Sequence, residues 1–313
     1  MTANGEGDGR MAGRRRRSSN QTDRIDINAY LKFYGFDCED IEYKYEWLKH
    51  GRDTIFMQSF IPSEPIGTVL VVHGYLDHAG AMSNLINDLI QKRYQVITYD
   101  FPGHGWSSGA RAEINDFCDY VNVFHEVEKR LQNLPSLPVY VVAHSTGGAI
   151  LIDYLLRKQE TFQKVVLISP LVRSYNWHLS RLGILLIKPF VQQLTRVYHK
   201  NSSNRDYLDF VKQDPLQYDK IPLVWFEALM TWNQRVKDYP ISDANVLVIQ
   251  GDRDRTVDWR HNLTFVKKKF PNCQIRIIHG GDHQLLNETL PLLNKTLEYI
   301  HEEFNKLNLI GKS

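Results

Sequence analysis

The stretch VYVVAHSTGG, residues 139 to 148, places a serine between a strand-like run and a helix-like one. The run from Val139 to Ala143 predicts a buried strand, and Gly147 begins a helical pattern. A serine at such a sharp turn presents its hydroxyl beyond the strand end, where it can attack a carbonyl carbon as a nucleophile. Taken alone the motif is weak, because a helix N-cap also favours serine. Ser145 is therefore a candidate nucleophile whose case depends on the rest of the chain.

A nucleophilic serine needs a general base, and the base needs a carboxylate that orients it. Both residue types follow Ser145 along the chain, each after an apolar run that predicts a strand: DRDRTVD after NVLVIQG, and DHQLLNE after QIRIIHGG. His283 is the candidate base. Among three carboxylates in the earlier loop, Asp254 fits best, because the spacing G-x-x-D-x-x-V places it just beyond the strand end. We expect Asp252 and Asp258 to be solvated or paired with neighbouring arginines.

The tetrahedral intermediate of such a reaction also requires two backbone N–H donors for its oxyanion. We expect the first donor to be Thr146, directly after the serine. The second is expected to be Tyr75, because His73 and Gly74 let the chain turn sharply after the apolar run GTVLVVHG. The side chain of Tyr75 is then free to line a pocket.

Strand-like and helix-like segments alternate over residues 26–170 and again over 241–313, which predicts a mostly parallel sheet covered on both faces. DIEYKYEWL and TIFMQSFIP alternate polar and apolar residues around KHGRD, a pattern typical of an antiparallel hairpin at a sheet edge. The alternation stops over residues 171–240, which show helical patches without a convincing buried strand. We interpret this segment as a helical lid over the carboxyl ends of the strands, where open α/β sheets bind ligands.

Composition excludes several classes of function. The formal net charge of +2 gives no electrostatic case for binding nucleic acid. Positive charge is concentrated in residues 1–25, which are predicted to form a disordered basic tail. The apolar runs are too short to span a membrane. Three widely spaced cysteines favour a cytoplasmic protein without a disulfide framework, and the histidines show no metal-ligand spacing.

Six motifs occur in the order found in the monoacylglycerol lipase and lysophospholipase group of α/β-hydrolases, the serine-aminopeptidase-like hydrolases: HGYLDHAG, DFPGHGWSSGAR, AHSTGG, SPLV, QGDRDRTVD and GGDH. The chain resembles this group over about residues 40 to 305. The resemblance implies an α/β-hydrolase fold, in which helices flank a mostly parallel eight-stranded sheet and a helical lid is inserted. It also implies Ser145 as nucleophile, Asp254 as acid, His283 as base, and Tyr75 and Thr146 as the oxyanion donors.

The predicted lid carries its apolar side chains in two clusters, NWHLSRLGILLIKPFVQQL and IPLVWFEALMTW. We expect most of them to pack the lid onto the core. Others would line a tunnel for an acyl chain or contact a membrane surface, with Arg181 and Lys188 near lipid headgroups. The candidate substrate-binding residues are Trp177, Leu182, Leu186, Trp225 and Leu229.

Ala143 stands where most members of the group have glycine, but its side chain is small enough to keep the turn. We therefore expect hydrolysis of the carboxylic ester of a single-chain acyl lipid, a monoacylglycerol or a lysophospholipid, through an acyl-enzyme and without a metal or organic cofactor. The same residues leave open a carboxylesterase or thioesterase for small soluble substrates, and a non-catalytic ligand-binding homologue. The expected location is the cytoplasm, with transient contact between the lid and a membrane surface. The sequence carries no signal for the oligomeric state.

Overall fold

The computed structural model describes residues 26–131, 137–158 and 162–306, so the predicted basic tail lies outside the described residues. The strands are β1 Ile41–His50, β2 Asp53–Pro62, β3 Gly67–Val72, β4 Tyr94–Tyr99, β5 Val139–His144, β6 Lys164–Ile168, β7 Gln193–Thr195, β8 Lys220–Pro222, β9 Val246–Gly251 and β10 Gln274–Ile278. The α-helices are α1 Ile27–Phe33, α2 Ser83–Gln91, α3 Phe117–Leu131, α4 Thr146–Arg157, α5 Trp177–Ile187, α6 Arg205–Gln213, α7 Leu223–Arg235, α8 Trp259–Lys269 and α9 Leu290–Asn305.

Eight strands form one sheet in the order β1-β2-β4-β3-β5-β6-β9-β10. The hairpin β1–β2 is antiparallel and lies at the edge, with Ile41 opposite Pro62 and His50 opposite Asp53. Strand β2 is also antiparallel to β4, and every later neighbour in this sheet is parallel. The prediction of a mostly parallel eight-stranded sheet with an edge hairpin is therefore confirmed.

The central strands are apolar on both faces because helices cover both sides of the sheet. In β3, Leu70 and Val72 point into a core shared with α3, α4, α7 and α8, whereas Val69 and Val71 point into a core shared with α1, α2 and α9. This alternation of neighbouring residues is the two-residue period of a strand. Within the described ranges, no helix combines the length and the apolar character that crossing a membrane requires.

The carboxyl ends of the parallel strands β3, β5, β9 and β10 meet at one edge of the sheet. Between β6 and β9 the chain leaves the sheet and forms α5, α6 and α7 with the small antiparallel pair β7–β8. We call residues 171–240 the cap segment. The sequence analysis did not anticipate β7 and β8, because strands of three residues are too short to show a strand pattern.

A buried cluster of hydrogen-bonded polar side chains holds the cap segment on the core. The carboxylate of Asp214 accepts hydrogen bonds from the hydroxyl of Tyr34 at 2.6 Å and from Nε2 of His78 at 2.9 Å. The other ring nitrogen of His78 accepts from the amide of Gly80, so Nε2 carries the proton. Burial lowers the pKa of His78, but the carboxylate of Asp214 outweighs it and the pKa lies above its ordinary value. No sequence pattern indicates this pairing, since His78 and Asp214 are 136 positions apart.

Replacing Tyr34 with phenylalanine should weaken the contact between the cap segment and the core. Tyr34→Phe removes a hydrogen bond to a buried charged group, and we expect the free energy of unfolding to fall by about 1–3 kcal/mol. Urea denaturation followed by circular dichroism measures the change. Tyr45→Phe is the matched control, because Tyr45 is exposed on β1. Equal stability of the two variants would contradict a structural role for the Tyr34 hydroxyl.

Candidate active site

Ser145 occupies the junction between β5 and α4 in a strained backbone conformation. Its φ of 53° and ψ of −112° are uncommon for a residue with a side chain. Two hydrogen bonds hold it there: its N–H donates to the carbonyl of Ile168 at 2.9 Å, and its carbonyl accepts from the N–H of Leu171 at 3.0 Å. The neighbouring strand therefore fixes the turn from which the serine side chain projects.

Gly147 is required by the close approach of α4 to the end of β3. A Cβ atom on this residue would lie 2.6 Å from the carbonyl oxygen of His73 and 2.7 Å from that of Val72. The amide of Gly147 donates to the same His73 carbonyl at 3.1 Å. Ala143, on the strand side, is fully buried between Val72 and Leu167 in the sheet register. The junction thus admits a methyl group at position 143 but leaves no room for one at position 147.

The structure brings the three residues predicted as nucleophile, base and acid into one hydrogen-bonded chain. Nε2 of His283 lies 3.0 Å from Oγ of Ser145, and Nδ1 of His283 lies 2.8 Å from Oδ2 of Asp254. Asp254 follows β9 and His283 follows β10, at the shared carboxyl edge. All three residues are buried. With Asp254 accepting from Nδ1–H, an unprotonated Nε2 of His283 can accept the serine proton.

Asp254 is held as a carboxylate by its surroundings. Burial raises its pKa, but the charge and hydrogen bond of His283 outweigh burial and the pKa lies below its ordinary value. The amides of Thr256 and Val257 add to the lowering by donating to Oδ1 at 2.8 and 3.0 Å, and Gln250 donates to Oδ2 at 3.0 Å. Asp252, in the same loop, instead pairs with the exposed ring of His279 at 2.9 Å.

His144 lies beside the serine as a neutral, buried ring. Burial, reinforced by the nearby ring of His283, lowers its pKa to about 4. Its Nε2 lies 3.2 Å from the backbone carbonyl of His283, which can only accept a hydrogen bond, so Nε2 carries the proton. His144 therefore supports the loop that carries His283 and does not approach the serine hydroxyl as a second base.

The two predicted oxyanion donors flank the serine. In the described part of the chain, neither the N–H of Tyr75 nor that of Thr146 donates to another protein group. Gly74 lets the Tyr75 loop approach, because a Cβ atom there would lie 3.2 Å from Cβ of Ser145. The hydroxyl of Tyr75 donates to the carbonyl of Ala112 at 2.8 Å, and its ring stacks on Trp225 with centroids 3.6 Å apart.

A cavity of about 460 Å³ opens at Ser145 between the core and the cap segment, a volume in the usual range for pockets that enclose a small ligand. Of the five predicted substrate-binding residues, Trp225 and Leu229 line it. Trp177 is instead buried in the core, where it stacks on Phe226. Leu182 and Leu186 lie on the exposed side of α5, 57% and 65% accessible to solvent. The apolar spacing of α5 could not show which of its side chains are buried, and no residue of this helix lines the cavity.

Sequence reasoning missed a polar chain beside the base. Gln284, which follows His283, donates its amide to Asp77 at 3.0 Å, and Gln217 of the cap segment donates to the other oxygen of Asp77 at 3.2 Å. The carbonyl oxygen of Gln217 in turn accepts from the guanidinium of Arg196. Asp77 stands in the HGYLDHAG motif, but the motif does not reveal its two partners.

The sheet order, the strand–serine–helix junction and the inserted cap segment together define an α/β-hydrolase fold. A model of the family described as "Serine aminopeptidase, S33" matches residues 63–290, and the chain belongs to this family. Human monoglyceride lipase is 27% identical over 259 residues, which cover 79% of this chain and 84% of the relative. A probable lysophospholipase L2 of Haemophilus influenzae is 22% identical, covering 76% and 83%. These matches confirm the resemblance to the monoacylglycerol lipase and lysophospholipase group.

A solved structure of a soluble variant of monoglyceride lipase from Saccharomyces cerevisiae, in complex with a substrate analog, has a similar fold. The TM-score is 0.75 at 19% sequence identity, over 87% of this chain and 98% of that one. At this identity the likeness supports the fold.

The tight junction at Gly147 predicts that alanine has opposite effects on stability at two helical glycines, Gly147 and Gly183. Gly147→Ala should lower the free energy of unfolding by about 1–3 kcal/mol, because the added methyl group meets backbone carbonyls that cannot move aside. Gly183→Ala is the matched control: a Cβ atom there meets nothing within 4 Å, and alanine in exposed α5 should add about 0.5–1 kcal/mol. Thermal or urea denaturation of both variants measures the difference. A Gly147→Ala protein as stable as wild type would refute the close approach.

Proposed function

We propose that the protein is a serine hydrolase that cleaves the carboxylic ester of a single-chain acyl lipid, a monoacylglycerol or a lysophospholipid, through an acyl-enzyme. The observation that carries the proposal is the hydrogen-bonded chain from Ser145 through His283 to Asp254 at an apolar cavity. The names of the relatives point to the same substrates: human monoglyceride lipase and the probable lysophospholipase of H. influenzae.

In the proposed reaction, Oγ of Ser145 attacks the ester carbonyl carbon while Nε2 of His283 takes the hydroxyl proton. The N–H groups of Tyr75 and Thr146 donate to the resulting oxyanion. The intermediate collapses, the bond to the alcohol oxygen breaks, and His283 gives its proton to the leaving alcohol. A water molecule, deprotonated by His283, then attacks the acyl-enzyme. The bond to Oγ of Ser145 breaks, His283 returns its proton to that oxygen, and the fatty acid leaves. Asp254 stabilises the positive charge that His283 carries in each half of the reaction.

An apolar wall of the cavity suits one acyl chain. Leu171, Trp225, Phe226, Leu229 and Val257 line the cavity together with Ser145. Burying an acyl chain against such a wall contributes about 0.8 kcal/mol per methylene group. A long-chain ester should therefore gain more from this cavity than a short one.

Fatty-acid release from monooleoylglycerol and from oleoyl lysophosphatidylcholine tests the proposal. We expect wild-type protein to hydrolyse at least one of them and Ser145→Ala to be inactive. Asp254→Asn should lower kcat by a factor on the order of 10⁴, because the base loses the carboxylate that fixes its tautomer. Asp252→Asn is the matched control in the same loop and should retain full activity.

The alternatives give different outcomes in the same assay. Hydrolysis of short p-nitrophenyl esters with both oleoyl lipids inert would favour the carboxylesterase function over the lipase function. No hydrolysis, with no labelling of Ser145 by a fluorophosphonate, would favour a non-catalytic binding protein.

We also infer that the cap segment rests on a lipid surface. Leu179, Leu185, Leu186 and Phe190 are 61–87% exposed, and an apolar patch of this kind on a soluble protein marks an interaction site. The exposed Val197 lines the cavity as well. Exposed apolar side chains are thus present both on α5 and at the cavity, as expected of a protein that takes its substrate from a lipid surface.

The double variant Leu185→Ser/Phe190→Ser should reduce binding to phosphatidylcholine vesicles in a sedimentation assay, because it removes apolar area from the patch. Hydrolysis of a water-soluble p-nitrophenyl ester should stay at the wild-type rate. Leu290→Ser is the control, since Leu290 is 71% exposed at the start of α9, outside the cap segment. Unchanged vesicle binding by the double variant would refute the docking surface.

A further inference from the structure

Arg196 stands at the cavity as part of the small β7–β8 pair. It follows the last residue of β7, and its backbone N–H donates to the carbonyl of Asp219 at 2.8 Å, which extends the ladder by one bond. Its guanidinium lies over the ring of Tyr198, 4.7 Å from the centroid. Arg196 and Tyr198 both line the cavity that contains Ser145 and His283. The position of this arginine is therefore set by the backbone as well as by its side chain.

The polar chain beside the base orients the guanidinium without neutralising it. Both oxygens of Asp77 accept amide N–H groups, one from Gln284 and one from Gln217. The amide of Gln217 is thereby turned so that its carbonyl oxygen accepts from Arg196. A guanidinium carries five N–H donors, and this bond occupies one of them. Arg196 is thus held by the neutral amide of Gln217, while the carboxylate of Asp77 is hydrogen-bonded to the two glutamines.

Positive charge predominates at the cavity. Arg196, Lys200 and Lys212 line it, against a single carboxylate, which is the buried one of the polar chain. Lys212 pairs with Asp209 at 2.9 Å, and Lys200 lies 4.0 Å from a carboxylate oxygen of Asp282. In the described residues, no carboxylate comes within 4.0 Å of the Arg196 guanidinium. An anionic ligand would supply the negatively charged partner that this guanidinium lacks.

We propose that Arg196 binds a phosphate on the alcohol side of the substrate, so that the preferred substrate is an acylglycerol that carries a phosphate. The planar fork of a guanidinium matches two oxygens of a phosphate, and such charge-assisted hydrogen bonds are stronger than neutral ones. A neutral monoacylglycerol leaves the fork without an anionic partner. This inference rests on the proposed function, because it assumes that Ser145 attacks the acyl ester of the same molecule.

Three esters with the same acyl chain test the inference: octanoylglycerol, octanoylglycerol 3-phosphate and p-nitrophenyl octanoate. Their short chain keeps them monomeric, so the surface charge of lipid aggregates plays no part. Wild-type protein should show a higher kcat/KM for the phosphorylated lipid than for octanoylglycerol. Arg196→Gln should lower that kcat/KM by about tenfold to a hundredfold, mainly through KM. Arg196→Lys, which keeps the charge but loses the fork, should fall between the two.

Octanoylglycerol and p-nitrophenyl octanoate report whether the Arg196→Gln protein is folded and active, and their hydrolysis should change little. Arg205→Gln is the matched control, because Arg205 is an exposed arginine of the cap segment at the start of α6 that does not line the cavity. Its substitution should leave all three rates at the wild-type level. Arg196→Gln and Arg205→Gln each remove one positive charge. A difference between their rates therefore reports the position of Arg196 at the cavity, not the loss of charge.

Other outcomes would overturn the inference in distinguishable ways. Turnover of octanoylglycerol without preference for the phosphorylated lipid leaves the proposed function standing and refutes the role of Arg196. If the phosphorylated lipid is not preferred but inorganic phosphate changes the rate of octanoylglycerol hydrolysis, Arg196 binds free phosphate and not a lipid headgroup. Cleavage of p-nitrophenyl octanoate alone would refute the lipid substrate and the headgroup together. An equal loss on all three esters in Arg196→Gln would show a structural role.

Discussion

The backbone of Ser145, with φ at 53°, is the constraint on which the site depends. A residue with a side chain pays on the order of 1–3 kcal/mol for such a conformation, and it persists only where its surroundings impose it. Here the surroundings are β6, whose last carbonyl accepts from the Ser145 amide, and β3, whose end approaches Gly147 so closely that no side chain fits. The parallel register of the central strands therefore does more than build a core. It aligns the strand ends, so that the loops after β9 and β10 deliver Asp254 and His283 to the same point as the serine.

Much of this arrangement could be predicted from the sequence, because it depends on local patterns. Uninterrupted apolar runs predict central strands, small residues around Ser145 predict a tight junction, and an aspartate and a histidine just past two later strands share one edge with it. The structure of the cap segment was harder to predict from the sequence. The apolar spacing of α5 predicts a helix but not which of its side chains are buried, and Leu182 and Leu186 are exposed. Pairings between distant polar residues, such as Asp214 with His78, have no periodic signal and appear only when the chain is folded.

The cavity joins two kinds of surface that hold different parts of a substrate. The aromatic and aliphatic wall is built by α7 and by loops of the core, whereas the cationic wall comes from the segment around β7–β8 and from α6. Stacking of Tyr75 on Trp225 links the predicted oxyanion loop to the apolar wall, and the chain from Gln284 through Asp77 to Gln217 links the histidine loop to the cationic wall. Both walls are thus tied to the reacting groups. In the proposed reaction, an ester bound between the two walls would have its orientation fixed at both the acyl and the alcohol end.

Tyr34, which holds the cap segment on the core, lies outside the region that the family model matches. Tyr34 follows α1, and the family match begins only at residue 63. Phe33 and Tyr34 also contact Phe210 of α6, with ring centroids 5.3 and 5.9 Å apart. The cap segment is therefore held from a part of the chain that the family model does not cover. A substitution in this part of the chain changes how firmly the cap segment is held, without touching Ser145, His283 or Asp254.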